Sequence, residues 1–215
     1  MPLYPFHALF SMRLHFVEII YNFDIVCVRQ CHEQGCRQMQ GSLISIVKDM
    51  AAVTFKGTPV KLCGDLPATG TQAPRFGGVK GDLTTVHLPD FLGKRVILNI
   101  FPSLDTPVCA ASVRRFNKEA SSLDNTVVLC VSKDLPFAQS RFCSTEGLDD
   151  VVPLSVFRCH HFDERYGLAM AEGPLKGLLA RAVIIIDEEG KIVYEQLVPE
   201  VTDEPDYDAA LKVLK

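Results

Sequence analysis

The residue most suited to chemistry is Cys109, one of eight cysteines in the 215-residue chain. It lies in NIFPSLDTPVCAASVRRFN, residues 99–117. That stretch reads as the end of an apolar strand, a turn through Pro102, Ser103 and Asp105, and a helix beginning near Pro107. Proline suits the first helical position because its missing N–H would be unpaired there anyway. Cys109 therefore falls in the first helical turn, where free N–H groups and the positive end of the dipole stabilise a thiolate. The nucleophilic reading competes with a plain one, a small buried side chain. An ordinary thiol is only a few per cent ionised at neutral pH, so full ionisation gains at most about 30-fold. That is roughly 2 kcal/mol of barrier. An efficient thiol enzyme needs further donors aimed at the charge that develops on its leaving group.

Several side chains are candidates for that help. Thr106, three residues before the cysteine, puts a hydroxyl at the helix start and is also a candidate N-cap. Pro102 and Pro107 stiffen the approach loop and restrict solvent. Arg181 opens the apolar run ARAVIIID, where a cation needs an anionic partner unless it reaches solvent at the strand end. Cys143 lies 34 positions after Cys109. It reads either as a free surface thiol or as a second sulfur able to condense with an oxidised first one. Such a bridge would constrain the unfolded chain by roughly 3–4 kcal/mol in the entropic account. It would require the Cys143 helix to unfold partly if that helix stands away from Cys109. Asp105 is a possible helix cap. Adjacent His160 and His161 do not face one site on a helix and read as surface. Cys130, inside TVVLCVS, reads as buried, and Cys159 has no evident partner. No glycine-rich phosphate loop follows a strand.

The elements that must position these residues follow from periodicity. VTFKGTPVKL is a hairpin around Lys56-Gly57. FGGVKGDLTTVHL holds one or two further strands. RVILNIF is a buried strand. Residues 107–123 form a helix with Val108, Ala111, Val113, Phe116 and Ala120 on its apolar face. TVVLCVS is a strand, and Asp134 is the expected N-cap of a helix over LPFAQSRFC that ends before Gly147. VVPLSVF is a strand, and HHFDERY is a helix stopped by Gly167. ARAVIIID and KIVYEQLV pair across a turn, and DYDAALKVLK closes the chain as an amphipathic helix. This order predicts an α/β, thioredoxin-like fold with a mixed central sheet, flanking helices and an N-terminal β-hairpin.

Composition sets the outer limits. The chain is 47% hydrophobic and 22% charged, with a net charge of −4, which gives no electrostatic reason to expect nucleic acid. No uninterrupted apolar run approaches the roughly 18 residues of a membrane span. The scattered cysteines suit a reducing compartment, the cytoplasm, better than a secreted scaffold. Residues 1–49 differ from the rest. They are apolar but interrupted, and the first basic residue, Arg13, comes too late for a secretory signal. Cys27, Cys31, Cys36 and His32 invite a metal reading, against which stands an irregular extension with incidental cysteines. The expected organisation is an atypical extension or mis-called start over 1–49 and one domain over 50–215.

FPSLDTPVCAASVRRFN, DNTVVLCVSKDLPFAQSRFC, YGLAMAEGPLKGLLARAVIIID and EPDYDAALKVLK together closely resemble the bacterial thiol peroxidase family, the atypical two-cysteine branch of the peroxiredoxins, from about Met50 to Lys215. The resemblance implies reduction of hydrogen peroxide and, preferentially, alkyl hydroperoxides. It implies a peroxidatic Cys109, a resolving Cys143, Thr106 and Arg181 as activating and orienting groups, and Pro102 as a shield. It also implies no metal or organic cofactor, thioredoxin as reductant, and a homodimer. Residues 1–49 have no counterpart in that pattern. Two other readings remain open. One is a protein disulfide oxidoreductase, which normally carries C-x-x-C where this chain has Thr106. The other is a redox-sensing protein that relays oxidation to a partner.

Overall fold

A computed structural model describes residues 51–214. The readings made for Cys27, Cys31, Cys36 and His32, and for the start at Met50, lie outside the described residues. The first element is a hairpin of β1 (Ala52–Phe55) and β2 (Thr58–Lys61), paired Val53 to Val60. Lys56 and Gly57 form its two-residue turn, both at positive φ, which matches the right-handed twist of the flanking strands.

The main sheet has seven strands: β3 (Gly77–Val79), β4 (Thr85–His87), β5 (Arg95–Ile100), β6 (Thr126–Ser132), β7 (Val151–Ser155), β8 (Ala182–Ile186) and β9 (Ile192–Leu197). Their spatial order is β4-β3-β7-β6-β5-β8-β9. The central β5, β6 and β7 are parallel, and the outer pairings are antiparallel. The helices are α1 (Pro107–Ala120), α2 (Pro136–Glu146), α3 (His160–Tyr166) and α4 (Tyr207–Lys212). This is the mixed α/β, thioredoxin-like arrangement expected from the element order.

The central strands read as continuous apolar runs because both sheet faces are covered. Successive side chains alternate between two cores. Val96, Leu98 and Ile100 of β5 join Leu129, Val131, Ala182 and Ile184 on one face, packed against Phe162 and Tyr166 of α3 and Val53 and Val60 of the hairpin. Ile97, Val128, Val183 and Ile185 point the other way, against Val113 and Phe116 of α1 and Ala210 and Leu211 of α4. Cys109 and Cys143 both belong to this second core.

Two local expectations need correction. The buried face of α1 is Cys109, Ala110, Ser112, Val113 and Phe116, rotated from the stripe that Val108, Ala111 and Ala120 suggested; those three are only half-buried. The rotation is set by two side chains a hydrophobicity count passes over. Cys109 packs as an apolar group, and the Ser112 hydroxyl donates to Asn99 Oδ1 on β5 at 2.9 Å. The second correction concerns Asp134. The N-cap of α2 is Leu135, with Pro136 at the first helical position, and Asp134 bonds elsewhere.

Candidate active site

Cys109 lies in the first turn of α1, as its spacing from Pro107 required. It is fully buried. Arg181, immediately before β8, is also buried, at 1% exposure, so the strand-end alternative of a solvent-reaching guanidinium does not hold. Its Nη2 donates to Cys109 Sγ at 3.4 Å and to the Val201 carbonyl at 3.0 Å, and its Nε donates to the same carbonyl at 3.3 Å. Nη1 has no partner among the described residues. Sheet pairing explains the meeting. Ile100 at the end of β5 pairs with Ala182 at the start of β8. The chain leaving β5 toward Cys109 and the residue entering β8 therefore share one edge of the core.

Thr106 occupies the N-cap position, with extended φ −109° and ψ 142°, but its side chain caps nothing. Its hydroxyl donates to the Ser103 carbonyl at 3.0 Å, which closes the loop ahead of the helix. Asp105 is exposed and is not the cap. The loop is tied down by Asp134. That carboxylate accepts from Ser103 Oγ at 2.7 Å, from the Leu104 N–H at 2.8 Å and from Ser132 Oγ at 2.8 Å. One side chain thus fastens the approach to Cys109 to the end of β6 and the start of α2. Sequence reasoning missed this hub because an Asp two residues before Pro136 looks the same whether it caps a helix or grips another loop.

A cavity of about 180 Å³ opens beside these groups. Its wall includes Pro102, Thr106 and Arg181, and it is otherwise mainly apolar, with Phe55, Val108 and Leu178 among the lining. Phe55 comes from the hairpin and Leu178 from the loop before β8. Neither carries a local signal of a site.

Cys143 is on α2 and is buried at 8% exposure, not the surface thiol that was one of its two readings. Burial pushes its thiol up, with the negative charge of Asp149 adding to the effect. Both it and Cys109 are free thiols. Cys130 is buried as expected. Desolvation raises its thiol to about 12, against the smaller opposing effect of the Asn99 amide. His160 and His161 are exposed, and Cys159 is half-buried. Among the described residues, no group of three or more His, Cys, Asp or Glu side chains is placed to hold a metal. No helix among them is long and apolar enough to cross a membrane.

Comparison with known proteins shows the family to which this fold belongs. The family described as Redoxin matches residues 68–211. Thiol peroxidase from Corynebacterium glutamicum is 53% identical over 165 residues, covering 77% of this chain and 99% of that protein. The thiol peroxidase of Mycobacterium tuberculosis is 52% identical over the same shares. Among solved structures, a peroxiredoxin-like protein from Aquifex aeolicus is 44% identical, with a TM-score of 0.72 over 76% of this chain and 96% of that one. A thiol peroxidase from Chromobacterium violaceum, 24% identical over 76% of this chain and 95% of that one, shares the fold at a TM-score of 0.71. With a buried cysteine at a helix start, a guanidinium on its sulfur, and relatives that align nearly end to end, the chain belongs to the redoxin family, among the thiol peroxidases.

Proposed function

We propose that this thiol peroxidase reduces hydrogen peroxide and, preferentially, alkyl hydroperoxides, with Cys109 as the peroxidatic and Cys143 as the resolving cysteine. The observation that carries the assignment is the buried Arg181 guanidinium, 3.4 Å from Cys109 Sγ at the wall of a small, mainly apolar cavity. The Cys109 thiolate attacks one peroxide oxygen and the O–O bond breaks. Water or an alcohol leaves after taking up a proton, and the sulfur becomes a sulfenic acid. Arg181 meets both the thiolate and the negative charge that grows on the departing oxygen. Thr106 orients the peroxide from the loop, and Pro102 shields the sulfur. Phe55, Val108 and Leu178 favour an alkyl tail over bulk water.

Cys143 then attacks the sulfenic sulfur, water leaves, and an intrachain disulfide forms. Thioredoxin restores both thiols by exchange, taking the disulfide onto its own pair of sulfurs. The catalytic unit is residues 50–215. The reading extends, on family resemblance, to a cytoplasmic homodimer that needs no metal or organic cofactor.

The test is hydroperoxide consumption by the full chain with thioredoxin and its reductase. Cys109→Ser abolishes turnover. Cys143→Ser permits one rapid oxidation of Cys109 and then stalls. Normal steady-state turnover by Cys143→Ser would reject the resolving role, and a Cys109 left unmodified by one equivalent of peroxide would reject the whole scheme.

A further inference from the structure

A second concavity, of about 690 Å³, opens near the β4 edge of the large sheet, between β3, β4 and α3. It shares no lining residue with the cavity at Arg181. Its wall carries three arginines, Arg75, Arg158 and Arg165, together with three histidines, one carboxylate, Asp90, and Cys159. Arg158 Nη2 donates across the groove to Thr85 Oγ1 at 3.1 Å. Arg165 Nη1 donates to the Arg75 carbonyl at 2.5 Å. None of the three arginines has a carboxylate partner among the described residues, whereas Arg95, Arg114 and Arg115 each hold one elsewhere. Asp90 is engaged by the His87 backbone N–H at 2.8 Å. A chain with a net charge of −4 thus gathers in one concavity three arginines that, among the described residues, have no ion-pair partner, whereas His87 and His161 of the same wall face Asp90 and Glu164.

Guanidinium groups present paired donors that match carboxylate and phosphate oxygens, and the groove is the size of a small-molecule site. We propose that it binds a small molecule carrying two or more carboxylate or phosphate groups. Like charges held in one concavity repel, and a polyanion bridging Arg158 and Arg165 replaces that repulsion with charge-assisted hydrogen bonds. Arg75 extends the same wall. The groove stands apart from the peroxide chemistry, so this assignment does not depend on the roles given to Cys109 and Cys143.

Cys159 supplies a reporter inside the wall. The experiment uses the full chain with pyrophosphate and citrate as probes, each against sodium chloride of matched ionic strength. Binding is followed by calorimetry, and Cys159 access by mass spectrometry after iodoacetamide. The expected result is saturable one-to-one binding of at least one probe, with Cys159 alkylation slowed by that probe. Arg158→Gln and Arg165→Gln should each weaken binding by about tenfold, with melting temperatures that show the variants are folded. Pyrophosphate binding without citrate binding assigns phosphate chemistry, and the reverse assigns carboxylates. No saturable binding of either probe overturns the proposal, as does binding that neither arginine variant weakens. Protection of Cys159 that follows protein concentration and not added anion would give the groove to a second copy of the chain and overturn it too. None of these measurements involves peroxide turnover, so failure here and failure of the peroxidase assignment are separately visible.

Discussion

Arg181 is a charged side chain with 1% exposure and no carboxylate against it among the described residues. A buried charge is expensive unless it is well partnered. Its partners among the described residues are the Val201 carbonyl and Cys109 Sγ. Lysine keeps the charge but loses the fork that holds carbonyl and sulfur together. Arg181→Lys is expected to slow Cys109 oxidation by about 100-fold, the scale of losing one aimed donor. The chain has no tryptophan, so quenched-flow alkylation and mass spectrometry is the suitable readout; a rate within twofold of the parent would refute the role. Cys130 is the opposite case. With its thiol pushed up to about 12 by burial, it should stay unlabelled by iodoacetamide at pH 8 in the native protein, and label only on unfolding. The exposed Cys63 labels throughout. An arginine opening an apolar strand was legible in the sequence as needing a partner. A backbone carbonyl of Val201 as that partner was not, because carbonyls carry no sequence signal.

The two helices that carry the sulfurs are fastened differently. α1 buries five side chains, and α2 buries only Pro136, Gln139 and Cys143. Half-buried Phe142 also packs against the second core, and the other attachments of α2 include polar ones. Gln139 Nε2 donates to Ser132 Oγ at 2.9 Å. Arg114 of α1 forks onto Glu146 at 2.8 and 3.0 Å while lying 5.7 Å from the Phe142 ring centroid. Gly147, at φ +64°, ends the helix in the left-handed conformation. An element with few buried side chains opens more readily than its neighbours, which suits a helix that, in the proposed scheme, would have to release Cys143. In the proposed scheme the Arg114–Glu146 clasp would govern the second step and not the first. Glu146→Gln is expected to speed disulfide formation about two- to fivefold while leaving sulfenic acid formation unchanged. Quenched-flow samples taken after one equivalent of peroxide would separate the steps. If both rates moved together, the clasp would have no selective part. Helix α2 was legible from its pattern, but the clasp was not. Arg114 and Glu146 are 32 positions apart, and surface charges at such separations pair only once the helices are packed.

At the scale of the molecule the site is drawn from four remote segments. Phe55 comes from the hairpin, Pro102 to Cys109 from the β5–α1 turn, Leu178 and Arg181 from the segment leading into β8, and Val201 and Thr202 from the loop after β9. Glu200 clasps the first segment to the last. Its carboxylate accepts from the Gly57 and Lys56 N–H groups, each at 3.0 Å, and from the Thr54 and Thr202 hydroxyls, each at 2.8 Å. Backbone strands run alongside, Thr54 N–H to the Pro199 carbonyl at 2.7 Å and Val201 N–H to the Thr54 carbonyl at 2.8 Å. The Gly57 N–H first, and then Thr202, hold the Glu200 carboxyl down to about 2 from its ordinary 4.5. A carboxyl whose folded value is depressed stabilises the native state above its unfolded value, and the benefit disappears as pH falls through the folded one. The clasp is therefore complete above about pH 4.5 and is lost between there and about pH 2. Glu200→Gln should remove this part of the acid dependence in urea unfolding measured across that range. An unchanged pH profile in the variant would show that the carboxylate does not hold the hairpin.

The sequence by itself determined what is local. A proline two residues before a cysteine, after a buried strand and a turn, places that sulfur in a first helical turn whatever else the chain does. Alternating and continuous apolar runs identify strands, and Lys56-Gly57 identifies a hairpin, because each rests on the conformations of adjacent residues. Tertiary structure alone decided what touches that sulfur. The antiparallel register that sets Ile100 against Ala182 brings Arg181 to Cys109 across 72 positions. It also leaves a small cavity whose walls come from residues with no pattern of their own. The rotation of α1 and the grip of Asp134 on the site loop were settled the same way. A side chain's partner is fixed by which elements the whole core packs together, and that choice belongs to no single stretch of the chain.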